Sequence, residues 1–150
     1  MRTPKAVPVV LRNKNERTEV LLFEHPLAGI QLVKGTVEPG ESVSEAAARE
    51  LSEESGLLVA GSILDLGTWE QCPNGQVWHF REVPVKQDLP ETWSHFTKDG
   101  GGQTFRFHWH PLYAPAPPSC HPVYAAALEF LRVQLSDRAR SASALRHDAA

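Results

Sequence analysis

Apolar and polar positions alternate in short runs through most of this chain and give way to helical spacing in two places. Ala6–Leu11 is apolar and rich in β-branched residues, which predicts a first strand. The polar segment Arg12–Thr18 reads as a turn and Glu19–Glu24 as a second strand, so the pair is expected to form a hairpin. His25–Gly29, with Pro26 and Gly29, is a loop, and Ile30–Lys34 alternates as a short strand. Leu58–Gln71 holds one or two strands interrupted by Gly61 and Gly67. Gln76–Val85 follows the Pro73-Asn74-Gly75 turn as another strand. Asp88–Gly102 reads as a long loop, and Thr104–Leu112 as a late strand.

The two helical segments are differently marked. Ser42 and Glu45 fit the S-x-x-E capping box, in which each side chain satisfies the other residue's orphan amide. Good helix formers follow from Ser44 to Ser55, and Gly56 supplies the left-handed stop. On this helix Val43, Ala47, Leu51 and Ser55 form the stripe expected to face the core, with Ala46, Glu50, Glu53, Glu54 and Leu57 roughly opposite. The second helix is expected to start at Pro122, after the proline-rich Tyr113–Pro122, and to run to about Leu135. Its apolar stripe would be Val123, Ala126, Ala127, Phe130 and Leu131, with Gln134 a polar break near its end. Ser136–Ala150 is small, polar and mixed in charge, and is expected to be a flexible tail beyond a single domain spanning 1–135.

Composition narrows the class. One hundred and fifty residues suffice for one domain with a real core. Hydrophobic residues at 41% and charged residues at 22% are ordinary globular values and exclude wholesale disorder. A formal net charge of −3 gives no electrostatic reason to expect a long nucleic-acid polymer as partner. No apolar run is long enough to cross a membrane. The start, MRTPKAVPVVL, lacks the apolar core of a secretory signal. Cys72 and Cys120 form no CxxC pattern, and with no export signal they are expected to be free thiols in a reducing cytoplasm.

Chemistry concentrates in Gly35–Leu57, GTVEPGESVSEAAARELSEESGL. Glu50, Glu53 and Glu54 fall at i, i+3 and i+4 and so share one helix face. Like charges so placed cost about 0.2–0.5 kcal/mol per pair in an isolated helix, so local physics does not favour the cluster. A hard divalent cation would favour it, because carboxylate oxygens are its preferred ligands. A solvated acidic surface is the plainer account of three glutamates alone.

The whole segment resembles the signature of the Nudix hydrolases, G-x5-E-x7-R-E-U-x-E-E-x-G-U with U apolar. Gly35, Glu41, Arg49, Glu50, Leu51, Glu53, Glu54, Gly56 and Leu57 occupy every specified position. The resemblance implies an α+β fold, a Nudix-type α/β/α sandwich with a mixed central sheet. It implies hydrolysis of a phosphoanhydride bond in a small phosphorylated substrate, a nucleoside diphosphate-linked compound or a nucleoside triphosphate, with Mg2+ or Mn2+ as cofactor. It further implies Glu50, Glu53 and Glu54 as metal ligands, one of which takes the proton of the attacking water, and the Gly35 carbonyl as an added ligand. A retained fold without catalysis, a nucleotide-sensing or protein-binding module, is the alternative.

Arg49 and Glu41 read as an internal ion pair holding the loop on the helix. Lys34, just before the box, is a candidate phosphate contact. His108 and His110 straddle Trp109 and share a face, and with His95 they are candidates for the cleft. Trp93, in the presumed long loop, is a candidate stacking surface for a base. A proline at position 73 resembles one in ADP-ribose hydrolases, and the tight turn there explains it equally well. Neither the leaving group nor the oligomeric state has a readable code in this sequence.

Overall fold

The computed structural model describes residues 2–70, 72–86, 88–98 and 101–148. Met1, Gln71, Gln87, Asp99, Gly100, Ala149 and Ala150 lie outside the described residues, and with them the ends of several segments delimited above. Among the described residues nine strands and two long helices build two sheets, and the helices pack on opposite faces, each against strands of both sheets. β1 (Thr3–Val9), β5 (Gly35–Thr36), β6 (Leu64–Trp69) and β7 (Gln76–Glu82) form the first sheet in the order β5-β1-β7-β6. Its β1–β7 pairing is parallel and the others antiparallel, so this sheet is mixed. β2 (Leu11–Lys14), β3 (Arg17–His25), β9 (Gln103–Pro111) and β8 (Thr92–Thr97) form the second sheet, with β4 (Gly29–Gln31) paired to β3. The chain passes from one sheet to the other at Val9 and Val10. The Val9 carbonyl accepts from Val83 and the Val10 carbonyl from Leu21, each at 2.9 Å.

Alternation along the strands sorts side chains into two cores. Val7, Val9, Trp78 and Phe80 of the first sheet join Val20 and Leu22 of the second beneath α2 (Pro122–Asp148), which contributes Tyr124, Ala127, Leu128 and Leu131. Ala6, Val10, Leu21, Phe23, Phe105 and Phe107 face the other way, against Ala46, Ala47 and Leu51 of α1 (Val43–Ser55). Each fully buried side chain of this size is worth about 1.5–3 kcal/mol, so these two layers dominate the stability of the domain.

Several expectations are corrected. The hairpin forms between β2 and β3, not between Ala6–Leu11 and Glu19–Glu24. Asn15 and Glu16 turn it with φ of 54° and 62°, the left-handed geometry that suits a two-residue connection, and β1 is thereby free to pair with β7. The segment read as a long loop contains β8. Thr92–Thr97 pairs with β9 along its whole length, and its alternation was masked by the polar Ser94 and His95 and by an exposed Phe96. On α1 the buried set is Ala46, Ala47, Glu50, Leu51 and Ser55, so Ala46 and Glu50 turn inward where they were expected to face out. On α2 Ala126 is exposed and Tyr124 and Leu128 take the core positions.

The second helix also continues past Leu135 to Asp148. No glycine or proline interrupts Ser136–Asp148, Ala139, Ala142 and Ala144 favour helix, and Arg140 pairs with Asp137 one turn back. No helix among the described residues is long and apolar enough to cross a membrane.

Candidate active site

The unit Gly35–Leu57 is a loop, a capped helix and a stop. Ser42 Oγ accepts from the Glu45 amide at 3.0 Å, and the Glu45 carboxylate accepts from the Ser42 amide at 2.9 Å, which is the reciprocal capping box. At the other end Gly56 adopts φ 80° and returns its amide to the Ser52 carbonyl. These caps fix α1 against β1 and set its glutamates beside β5.

Arg49 organises the front of the unit. Its guanidinium makes a bidentate pair with Glu41 at 2.8 and 3.0 Å, reaches Glu50 at 2.8 Å and Glu53 at 3.4 Å, and donates to the Thr36 carbonyl at 3.0 Å. Glu41 also accepts from the Glu38 amide, so the loop Val37–Gly40 is closed on itself and tied to the helix. The hydrogen bonds from Arg49, with that from the Glu38 amide, hold the Glu41 carboxyl down at about 2. Arg49 is correspondingly held more firmly protonated, chiefly by Glu41 and further by Glu50.

The three glutamates diverge around this hub. Glu50 is 8% exposed and its carboxylate lies against the backbone of Gly35, where a Cβ would stand 1.8 Å from its Cδ. Glycine at 35 is therefore a matter of space. Glu53 is exposed. Glu54 is half-buried and lines a cavity of about 340 Å³ together with Lys34, His25, Phe105 and Tyr124. Among the described residues no group of three His, Cys, Asp or Glu side chains is placed to hold a metal ion. The donor chemistry of the glutamates nevertheless fits Mg2+ or Mn2+. They offer oxygens, Glu50 already rests in a cradle beside Gly35, and magnesium is usually held by one or two carboxylates with water and substrate phosphate completing its shell.

Lys34 reaches this same cavity. Its ammonium lies 4.6 Å from the centroid of the Trp78 ring and 5.7 Å from that of Tyr124, and donates at 3.4 Å to Gln76. Burial lowers its pKa and Lys5 adds to the effect, while Cys72 and Glu54 oppose it. Tyr124, which the sequence did not single out, brings a phenol to the cavity from α2, and burial followed by the charge of Glu54 raises its pKa. A tyrosine among apolar helix residues carries no local signal of such a placement.

Four other candidates stand elsewhere. Trp93 stacks on Phe107, with centroids 5.1 Å apart and planes at 11°, and donates from Nε1 to the Ser55 carbonyl at 3.2 Å. His95 lies beside Gly56, so both residues of β8 pack on the C-terminal end of α1. His108 lines a separate depression with Glu24, Thr92 and Arg106, and burial, helped by His110, lowers its pKa. His110 is turned toward the backbone of Ala114 and Pro115, and burial lowers its pKa too. None of the four lines the cavity that holds Glu54 and Lys34.

A sandwich of two sheets between two helices, with a capped carboxylate helix set on the sheet edge, is the architecture of a Nudix domain. A family model described as NUDIX domain matches residues 2–128. The chain belongs to this family, whose members are generally pyrophosphohydrolases. Solved structures agree in fold. The NUDIX domain of Shewanella oneidensis NrtR, complexed with ADP ribose, superposes with a TM-score of 0.63 at 18% identity, covering 90% of this chain and 89% of that one. A MutT NUDIX hydrolase from Burkholderia pseudomallei gives 0.62 at 18% identity over 86% and 97%. A MutT/nudix family protein from Enterococcus faecalis gives 0.56 at 16% identity over 91% of this chain, which spans 63% of its length. A search of curated protein sequences found no match.

Proposed function

We propose that this protein is a divalent-metal-dependent Nudix pyrophosphohydrolase that splits a phosphoanhydride bond in a nucleoside diphosphate-linked or nucleoside triphosphate substrate. The observation that carries this reading is the seating of the Glu50 carboxylate against Gly35, under the hand of Arg49. Burying a carboxylate there costs folding energy that a surface position would not, and the cost has a use if the group must hold a cation beside the Gly35 backbone. A bound Mg2+ or Mn2+ would neutralise phosphate oxygens and acidify water.

The chain's own residues supply the rest. Glu50, Glu53 and Glu54 offer the oxygens that would hold the ion, and one of them accepts the proton as water attacks phosphorus and the anhydride P–O bond breaks. Lys34 points a cation into the same cavity, where phosphate would lie. Glu41 and Arg49 touch no reacting group in this scheme and keep the loop on the helix. The ADP ribose held by the Shewanella neighbour supports a small nucleotide-type ligand. Two free thiols, Cys72 and Cys120, are in keeping with a reducing cytoplasm.

The test is a product screen. Purified protein with Mg2+ or Mn2+ is incubated with nucleoside triphosphates, ADP-ribose, nucleotide sugars, dinucleoside polyphosphates and capped RNA, and mass analysis identifies the bond cleaved. Turnover of one class that is lost on chelation, and lowered by about a hundredfold or more in Glu54→Gln, is the expected result. Turnover by Glu54→Gln at the wild-type rate would remove Glu54 from the catalytic set. Absence of turnover across the panel would favour a silent binding module.

A further inference from the structure

Two ammonium groups share the edge of the site, and of the carboxylates only Glu54 acts on the charge of Lys34. Lys5 belongs to the cross-strand row Thr36, Lys5, Trp78, Trp69. Alternation places its side chain on the α2 side of the sheet, the side that carries Trp78. Its Nζ donates to the Thr36 hydroxyl at 2.6 Å. Lys34, two positions before Thr36, lays its own Nζ over the Trp78 ring. Both lysines are half-buried, and among the described residues neither forms a salt bridge. Their charges act on one another, Lys5 being the strongest influence on Lys34 after burial.

Such a pair is more than packing requires. One cation satisfies the faces of Trp78 and Tyr124, and a neutral donor would serve Thr36. Two like charges held together repel, Glu54 offsets part of that repulsion at Lys34, and an arriving anion would offset more of it. A phosphate that bridges two groups carries one negative charge, whereas a terminal phosphate monoester carries about 1.5 to 2 at neutral pH. Lys34 precedes Gly35 and Lys5 pairs with Thr36 after it, so the pair flanks the residue against which Glu50 is seated.

We propose that Lys5 and Lys34 form a two-lysine anchor for a terminal phosphate, so that the preferred substrate ends in a free phosphate, as a nucleoside di- or triphosphate does, and is not a diphosphate capped by organic groups at both ends. The position of the anchor relative to the reaction rests on the proposed hydrolase activity, but its selectivity among ligands does not.

The experiment compares two probes on the full chain in Mg2+ by titration calorimetry, inorganic tripolyphosphate with free ends and ADP-ribose capped at both, while phosphorus NMR verifies that each probe stays intact. Lys5→Gln should weaken tripolyphosphate by about tenfold, the worth of one charge-assisted bond, and leave ADP-ribose within about twofold. Lys5→Arg should restore most of the loss, which a merely misfolded Lys5→Gln protein could not explain. Equal losses for both probes, no loss for either, or a wild-type protein that binds neither would overturn the anchor. Hydrolysis lost in Glu54→Gln alongside unchanged tripolyphosphate binding in Lys5→Gln would sink the anchor and leave the hydrolase standing. Selective loss in Lys5→Gln from a protein that turns over nothing would do the reverse.

Discussion

The carboxylate of Glu50 fills the space that a side chain at Gly35 would need. A Cβ at position 35 would meet Glu50 Oε1 at 2.0 Å, far inside van der Waals contact, and Glu50 itself is nearly closed to solvent. Gly35→Ala must therefore expel that carboxylate or bend β5. Overpacking of this kind should cost about 1–3 kcal/mol in denaturant melts. If Glu50 holds the metal as proposed, misplacing it by about 1 Å should also lower turnover roughly a hundredfold. A stable, fully active Gly35→Ala protein would show that Glu50 need not sit where it does.

Arg49→Ala removes one cation from several acceptors at once. Its Glu41 pair is partly open to water and screened, while its Glu50 contact is buried. Between the value of an exposed pair and that of a broken buried one, a loss of roughly 2 kcal/mol is expected. Activity should fall with stability, because the loop and Glu50 lose the same support. Calorimetric melts and turnover measured on one preparation decide it. An inactive protein with an unchanged melting temperature would mean that Arg49 touches substrate instead.

The Glu41 clamp gives a pH window with a defined sign. Its folded pKa is pulled from the ordinary 4.5 to about 2, first by the Arg49 hydrogen bonds and then by the Glu38 amide. A depressed carboxyl stabilises the fold above its unfolded pKa, and the benefit fades as pH falls toward the folded one. Wild type should therefore melt above Glu41→Gln at neutral pH, with the gap narrowing from about pH 4.5 downward and closing near pH 2. A gap that stays constant through that window would show that the charge on Glu41 does not act through this clamp.

Trp93→Phe separates a packing role from a binding one. Phenylalanine keeps the stack on Phe107 and loses only the bond from Nε1 to the Ser55 carbonyl. Stability should drop by about 1 kcal/mol with kcat and KM nearly unchanged. A raised KM at constant melting temperature would place Trp93 against the substrate.

What could be read from the sequence was what is local. Ser42 and Glu45 mark the start of α1 and Gly56 its end, and each makes the hydrogen bond its type favours. The Glu50 position was legible as a ligand candidate but not as a buried group, because its burial comes from β5, a strand of two residues. β8 escaped for a different reason. An edge strand with one exposed face alternates polar residues with aromatic ones, and Phe96 on the open side disguised the period. Tyr124, and Lys5 of the proposed anchor, were invisible because strand pairing and helix docking bring them in from 30 and more residues away.

β1 lies between β5 and β7, so β2 to β4 separate it in sequence from one neighbour, and the carboxylate helix and β6 stand further between it and the other. Its long register with β7 is parallel and joins Thr3 to Gln76 and Val9 to Glu82, the kind of distant pairing that forms slowly. During synthesis the first strand can meet β5 once Thr36 has emerged, but its register with β7 must wait for Gln76–Glu82. The capped helix can take shape early, from contacts within its own few turns. The cavity that Glu54 lines takes Gln103, Phe105 and Tyr124 from the later part of the chain, so a chain released before β7 would possess the carboxylates without the cavity beside them.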